Sequence, residues 1–381
     1  MKKVLAILVL FAATTCLAAT HGVHYVITND DVANGRNSVT FYRITGPVSS
    51  PKITRSAVVE TGGMGLGSGF PTAAGVLVDS QQQCAYVADS GSSDVAAIDL
   101  TTQTAVGKFR GSWQDSGGFD GVGLAMTDNY LYASYTGNYS LATYQIGPGC
   151  QLPWVKSVPI IGQNLGMMSG MAARGNMLVV ACGDGSIESW DISNGVPQSN
   201  GDRQLSTGVQ TLLTSPFGVE ITKDGHFAIF GDSSSHSVVE VSDISGGSLA
   251  PTVVYKFWLG ANSVNVRLSP DERLLYVTNN GSGTVSAAFF DNQTGKLFPG
   301  CISNPLSGLG GKWFYNAGLT TTSAFGSGST LFVTELGWNG SIGVVNVAVS
   351  GHTCMLTETS GSPILDPESQ SLRSIALIST D

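Results

Sequence analysis

Three charged residues are candidates for chemistry in a chain that has few charges. Glu220, Arg267 and Glu335 lie in short apolar stretches, and charged residues make up only 12% of the sequence. An arginine beside a carboxylate can hold the carbonyl or carboxylate group of a ligand, and a glutamate can activate water for attack on an ester. Glu220 and Arg267 would equally fit a partly buried ion pair that only joins two structural units. Both interpretations stay open at this point.

A second group of candidates is aromatic. Five aromatic residues lie in or beside Gly-rich connections or turns, where they could stack against a sugar ring or another flat ligand: Trp113, Trp258, Trp313, Tyr315 and Trp338. The alternative is that these side chains cover the hydrophobic core.

A third group is polar and comes where apolar runs end in a turn. Asp89, Asp232 and Asn279 hold this position and could contact a ligand, although Asx side chains there commonly bond the backbone N–H groups of the turn. Glu335 holds the same position, and a turn role explains a glutamate less well. We therefore expect Glu335 to be the strongest functional candidate of this group.

Several common chemistries find no support in the sequence. The segment "TGGMGLGSG" (61–69) lacks the glycine spacing and the Lys-Ser/Thr of a phosphate-binding loop, and no Gly-x-Ser-x-Gly motif occurs. The spacing of the cysteines fits no zinc pattern. His226 and His236 fall in turns that we expect on opposite faces of the fold, so they could not bind one metal ion together. We therefore expect no metal site and no cofactor.

The elements that position these residues repeat along the chain. Short strands begin at equivalent residues 48, 47, 48, 47 and 53 positions apart, namely Gly75, Gly123, Gly170, Gly218, Asn265 and Gly318. Each is followed by an apolar run, a polar turn and an alternating strand, as in "LYVTNNGSGTVSAAFFD" (275–291). A period near 45 with about four short strands per unit indicates an all-β fold, a β-propeller built of four-stranded antiparallel blades.

The count of units predicts seven blades and the way in which the ring closes. Six units are complete, while the first, from His24, lacks its innermost strand. The C-terminal segment "SLRSIALIS" (371–379) has the pattern of that missing strand. We therefore expect the last strand to complete the first blade, which would leave no open sheet edge between the two chain ends.

One repeat carries a family resemblance. The stretch "SPDERLLYVTNNGSGTVSAAFFDNQTGKL" (269–297) resembles the repeat of YVTN-type propellers. The whole mature chain is similar to the seven-bladed lactonase-like family, which includes 6-phosphogluconolactonase-type enzymes. The resemblance implies His, Arg and Glu around the channel. Glu335, Glu220 and Arg267 could supply two of these types, and "TEL" (334–336) resembles the Asn-Glu-Leu segment of the family. The His-containing segments of the family have no counterpart, which argues against catalysis.

The N-terminal segment indicates where the protein is located, and the net charge indicates which classes of partner are excluded. Lys2 and Lys3 precede an apolar stretch and small residues follow at Ala18 and Ala19, which predicts a signal peptide over 1–19 and one domain over 20–381. The net charge of −9 without any basic run argues against nucleic acid and anionic membranes as partners. We expect a secreted or periplasmic protein without a membrane span. Of its five remaining cysteines, four could form two disulfides, and the sequence leaves their pairing open.

Three functions fit these observations. The first is a non-catalytic module that binds a saccharide-like ligand or a protein on the loop face that carries the aromatic residues. The second is a lactonase that acts on a sugar-derived lactone through Glu335, Glu220 and Arg267. The third is a structural protein of the cell envelope.

Overall fold

A computed structural model describes most of the chain after the predicted signal peptide. The described residues are 24–32, 36–47, 51–67, 75–111, 122–160, 168–182, 185–205, 216–232, 238–256, 260–261, 263–309, 315–322, 329–336, 340–366, 369, 372 and 374–378. Within these ranges the chain forms 29 strands and three short 3-10 helices, Pro148–Cys150, Asn280–Ser282 and Ser307–Leu309. None of the described helices is long and apolar enough to cross a membrane.

The strands form seven antiparallel blades, and each blade has four strands, named A to D from the axis outward. Blades 1 to 4 are made of β29 (Ser374–Ile378), β1 (His24–Asn29), β2 (Ser38–Thr45), β3 (Lys52–Glu60); β4 (Val76–Val78), β5 (Cys84–Asp89), β6 (Asp94–Asp99), β7 (Thr104–Phe109); β8 (Val122–Met126), β9 (Tyr130–Tyr135), β10 (Ser140–Gln145), β11 (Trp154–Pro159); β12 (Met168–Arg174), β13 (Met177–Cys182), β14 (Ser186–Asp191) and β15 (Gln198–Leu205). Blades 5 to 7 are made of β16 (Pro216–Ile221), β17 (Phe227–Asp232), β18 (Val238–Asp243), β19 (Val253–Tyr255); β20 (Ser263–Leu268), β21 (Leu274–Asn279), β22 (Thr284–Asp291), β23 (Lys296–Ile302); β24 (Tyr315–Thr322), β25 (Ser329–Leu336), β26 (Ser341–Ser350) and β27 (Thr353–Glu358). A further short strand, β28 (Ile364–Leu365), pairs with the start of β26.

The C-terminal strand closes the ring, as predicted. β29 pairs antiparallel with β1 from Tyr25 opposite Ile378 to Asn29 opposite Ser374. It also contacts the innermost strands of both neighbouring blades, β24 and β4. The first and last described strands therefore share one sheet, and the predicted all-β, seven-bladed fold is confirmed.

The hydrophobic core lies between the blades. Strands B and C pack on both faces against neighbouring blades, so that β5 (CAYVAD) and β21 (LLYVTN) are buried along their whole length. The outermost strands face water on one side, and β3 has no fully buried residue. Seven clusters of buried apolar side chains are found, one at each seam between adjacent blades. Seven similar seams thus supply the burial that holds the ring together.

Both disulfides join adjacent blades. Cys84 in β5 is bonded to Cys150, which links blade 2 to blade 3, and Cys301 in β23 is bonded to Cys354 in β27, which links blade 6 to blade 7. Cys182 is buried at the seam between blades 3 and 4 and belongs to neither disulfide. This is the two-plus-one division that the odd cysteine count allowed.

The connections divide between the two faces of the disc as the strand order predicts. Gly91, in the B–C turn of blade 2, donates its N–H to the carbonyl oxygen of Met64 in the preceding D–A connection, at 2.8 Å. We call this side the D–A face. The A–B turns lie on the opposite side, the A–B face, and several share one backbone geometry in which Gln82, Gly225 and Glu272 adopt positive φ values.

Candidate functional site

A cavity of about 400 Å³ opens on the A–B face around the axis of the ring. Its walls are innermost strands of blades 2 to 6 together with A–B turns. Part of the cavity wall is apolar. The polar part is formed by Ser80, Thr127, Asp128, Arg174, Glu220 and Arg267. The volume lies within the usual range for small-molecule sites.

Glu220 and Arg267 meet in this cavity. Glu220 in β16 pairs with Ile229, and Arg267 in β20 pairs with Tyr276, so the two residues hold equivalent positions in consecutive blades. Arg267 Nη1 lies 3.2 Å from Glu220 Oε2. The Glu220 side chain is 18% exposed and that of Arg267 is 48% exposed. The sequence therefore correctly places the two side chains side by side at the channel.

Arg174 is a third charged residue of the cavity, and it is not among the site residues predicted from the sequence. Burial raises the pKa of Glu220, and the guanidinium groups of Arg267 and Arg174 oppose that rise. Arg174 ends β12, two residues beyond Ala172, which holds the position equivalent to Glu220. Because side chains two residues apart on a strand point the same way, the arginine at the end of "GMAAR" was the signal that could have revealed it.

Glu335 is not part of this cavity. It lies near the end of β25 opposite Ser341, three residues beyond Phe332, which pairs with Thr320 at the level of Glu220 and Arg267. Three residues of strand span about 10 Å. The carboxyl is buried at the seam between blades 6 and 7 rather than facing the channel. The structure therefore brings two of the three predicted catalytic residues together and places the third near the opposite face.

The surroundings of Glu335 favour the protonated, uncharged form of its carboxyl group below about pH 7. Burial raises its pKa to about 7, the hydroxyl of Ser341 donates a hydrogen bond that opposes this rise, and Glu358 adds to it. Its Oε1 has no hydrogen-bond partner among the described residues. A Cβ atom on Gly308, in the D–A connection above it, would lie 2.0 Å from Glu335 Oε2. The glycine therefore lets the loop lie directly on the carboxyl.

Asp89 repeats this arrangement at the seam between blades 1 and 2. Asn37 and Thr61 donate hydrogen bonds to Asp89 Oδ1, each at 2.8 Å, while Oδ2 has no partner among the described residues. Burial raises the pKa of Asp89 to about 8, and the carboxylate of Asp94 contributes to the rise. A Cβ atom on Gly63 would lie 2.1 Å from Asp89 Oδ2.

Asn279 and Asp232 are also buried beneath the D–A face. Asn279 Nδ2 donates to the hydroxyls of Thr284 at 3.1 Å and Ser286 at 2.8 Å, and Ser263 donates to its Oδ1. It thus ties strands A, B and C of blade 6 together through side chains, whereas the sequence favoured bonds to the backbone of the turn. In blade 1 the equivalent position is held by Asp30, whose N–H donates to the carbonyl oxygen of Ser38.

The predicted aromatic residues fall where the structure makes no statement about side chains. Trp113, Trp258, Trp313 and Trp338 lie outside the described residues, and Tyr315 begins β24 with only its backbone described. Their role in ligand binding stays a prediction. No group of three or more His, Cys, Asp or Glu side chains that could hold a metal ion occurs within the described ranges.

Comparisons with known proteins agree on the architecture. The sequence matches no family model and no curated protein sequence. Among solved structures, a candidate 6-phosphogluconolactonase from Bacteroides fragilis aligns with a TM-score of 0.68 at 14% identity, over 95% of this chain and 99% of its own. A candidate 6-phosphogluconolactonase from Bacteroides uniformis gives 0.69 at 11% identity, over 94% and 100%. The chain shares the seven-bladed propeller fold of these two proteins.

A third structure extends this likeness of fold to a periplasmic protein. The periplasmic gluconolactonase of Pseudomonas aeruginosa aligns with a TM-score of 0.63 at 13% identity, over 94% of this chain and 100% of its own. At such identities the likeness concerns the fold, and one fold hosts many functions. The function of this propeller therefore has to be argued from its own site.

Proposed function

We propose that this propeller is an exported protein that binds a small polyhydroxylated ligand, of the sugar or sugar-acid class, in the channel cavity. The observation that carries the proposal is the pairing of Glu220 with Arg267 in a cavity of about 400 Å³. A carboxylate accepts hydrogen bonds from ligand hydroxyls, and a guanidinium donates to ring or carbonyl oxygens. The hydroxyls of Ser80 and Thr127 add further polar partners to the lining.

Export is supported by the two disulfides together with the predicted signal peptide. Disulfides persist in oxidising compartments such as the periplasm or the extracellular space and are rare in the cytosol. Both bonds of this chain join neighbouring blades. A periplasmic or secreted location would therefore stabilise the folded ring, because both disulfides would stay oxidised there.

The D–A face, where the sequence predicts ligand binding, has less support than the channel. Asp89, Asp232 and Asn279 are each fully buried there and are thus not available to a ligand. Ligand binding at that face would depend on the aromatic residues Trp113, Trp258, Trp313, Tyr315 and Trp338. The channel site needs none of them.

The binding proposal can be tested by calorimetry and thermal shift with a panel of monosaccharides, polyols and sugar acids. We expect at least one of these ligands to raise the melting temperature, because binding to the folded state alone stabilises it. Arg267→Gln should weaken binding at least tenfold, while Arg43→Gln, a change at an exposed arginine of β2 outside the cavity, should have no effect. Ligand binding that survives Arg267→Gln would contradict the channel site.

A lactonase is the second candidate, and the partial burial of Glu220 favours it. A carboxylate whose pKa is raised by burial is better matched to proton transfer near neutral pH, and Arg267 could stabilise the oxyanion formed at a lactone carbonyl. Ring opening of a sugar lactone should then exceed the uncatalysed rate and fall at least a hundredfold in Glu220→Gln. Activity that persists in Glu220→Gln and disappears in Glu335→Gln would move the reaction to the opposite face.

A further inference from the structure

The charges that line the channel cavity divide into donors and acceptors. Arg174 and Arg267 are cations, and Glu220 and Asp128 are anions, contributed by four consecutive blades, 3 to 6. The chain has only 18 lysines and arginines, so two arginines at one cavity are a substantial share of its positive charge. A ligand that complements this lining would have to offer both a negative group and hydrogen-bond donors.

The two arginines differ in their ion-pair partners. Arg267 is paired with Glu220 at 3.2 Å, whereas no ion pair of Arg174 is found among the described residues. Arg174 still lies near enough to Glu220 to favour its ionised form. Asp128 and Arg174 are both exposed at the mouth of the cavity, on the A–B turn of blade 3 and at the end of β12 in blade 4.

Two more charged residues close to the cavity, Glu272 and Lys223, already have hydrogen-bond partners in the protein. Glu272 disfavours the ionised form of Glu220, but its Oε1 accepts the backbone N–H of Lys223. The ammonium group of Lys223 donates to the carbonyl oxygen of Pro270 in the same turn as Glu272. Hydrogen bonds to the backbone of neighbouring A–B turns thus occupy both of these side chains, whereas Arg174 has no ion pair among the described residues that a ligand would have to break.

From this lining we infer that the channel site selects a small hydroxy-carboxylate over a neutral polyol. The inference rests on the proposed function. The ligand carboxylate would be held by Arg174, whose planar guanidinium matches a carboxylate through two parallel hydrogen bonds. The hydroxyls of the ligand would donate to Asp128 and Glu220, and Arg267 would keep Glu220 in place. Arg174 is thus a specificity-determining residue, because hydroxyl recognition alone would not need a cation that has no ion pair among the described residues.

D-gluconate and D-glucitol provide a matched pair of probes, since they share one carbon chain and differ only in a carboxylate against a CH₂OH group. Calorimetry at low ionic strength should show wild-type protein binding D-gluconate at least tenfold more tightly than D-glucitol. Arg174→Gln should bring the affinity for D-gluconate down to about that for D-glucitol, and Arg174→Lys should retain part of the preference. The preference should also shrink with added salt.

The outcomes separate the inference from the function on which it rests. Equal or tighter binding of D-glucitol by wild type, or an undiminished preference in Arg174→Gln, would overturn the selection of a carboxylate while leaving the channel site intact. Binding of neither probe, or binding that Arg267→Gln leaves unchanged, would overturn the channel site itself. Arg43→Gln serves as the control for a general loss of positive charge.

Discussion

The buried carboxyl groups near the D–A face show how a residue can be conspicuous in sequence and yet serve the fold. Asp30, Asp89 and Glu335 are each fully buried, and burial raises their pKa values to about 7, 8 and 7. Each lies at a seam between blades beneath the loops. These groups hold protons in the folded protein at pH values where the unfolded chain has released them.

This difference predicts a pH dependence of stability that Asp89 should dominate. Its pKa is about 8 in the folded state, compared with 3.8 for an ordinary aspartate, so the folded state binds more protons over this range. The stability that it contributes is complete below about pH 4 and is lost as pH rises towards 8. Urea unfolding should therefore show Asp89→Asn gaining stability relative to wild type as the pH rises from 5 to 8.

Asp99→Asn is the control for that experiment. The exposed carboxyl of Asp99 accepts hydrogen bonds from the N–H groups of Thr102 and Thr101, and these lower its pKa. Its contribution is present at neutral pH and is lost on acidification, which is the opposite sign. A pH profile of Asp89→Asn that runs parallel to wild type would contradict the account of Asp89.

The glycines that lie on these carboxyls predict a steric effect. In Gly63→Ala the new Cβ would meet Asp89 Oδ2 at 2.1 Å, and the Asp89 side chain is held by Asn37 and Thr61. We expect a loss of about 1–3 kcal/mol, the usual cost of overpacking a tight site. Gly246→Ala, where a Cβ meets nothing within 4 Å, should be nearly neutral. Denaturant midpoints measured at one pH distinguish the two variants.

At the scale of elements, the strands could be predicted from the sequence better than the directions of their side chains. The alternation of apolar runs and turns repeats in every blade, so seven units and the C-terminal closure follow from spacing alone. Spacing does not say whether a residue at a strand end faces the channel or a seam. Glu335 was grouped with Glu220 for that reason, and Arg174 was overlooked because blade 4 has Ala172 at the equivalent position.

The disulfide between blades 6 and 7 predicts an effect on a seam rather than on a single blade. Cys301 and Cys354 are separated by 53 residues, and closing a loop of that length in the unfolded chain contributes about 4 kcal/mol in the chain-entropy account. The double variant Cys301→Ser, Cys354→Ser should lose stability of this order. Reduction of wild type with dithiothreitol affects both disulfides and should lower the melting temperature further than the double variant does.

At the scale of the whole molecule, the ring depends on one short strand. β29 has five residues, yet it pairs with β1 and contacts the innermost strands of blades 2 and 7. The seven seam clusters form a closed cycle, so opening one seam exposes apolar surface on both of its sides. Because burial at the seams is the main stabilising term, loss of this strand should affect the entire ring rather than blade 1 alone.

A proline tests this dependence without shortening the chain. Ala376 lies in the middle of β29 opposite Ile27, where proline would disrupt the strand and its pairing. Ala376→Pro should lower the melting temperature strongly and promote aggregation through the exposed edge of β1. Val58→Pro, in the exposed outer strand β3, is the control and should cost far less because that strand borders water. Equal losses in the two variants would mean that the closing strand holds the ring no more firmly than a peripheral one.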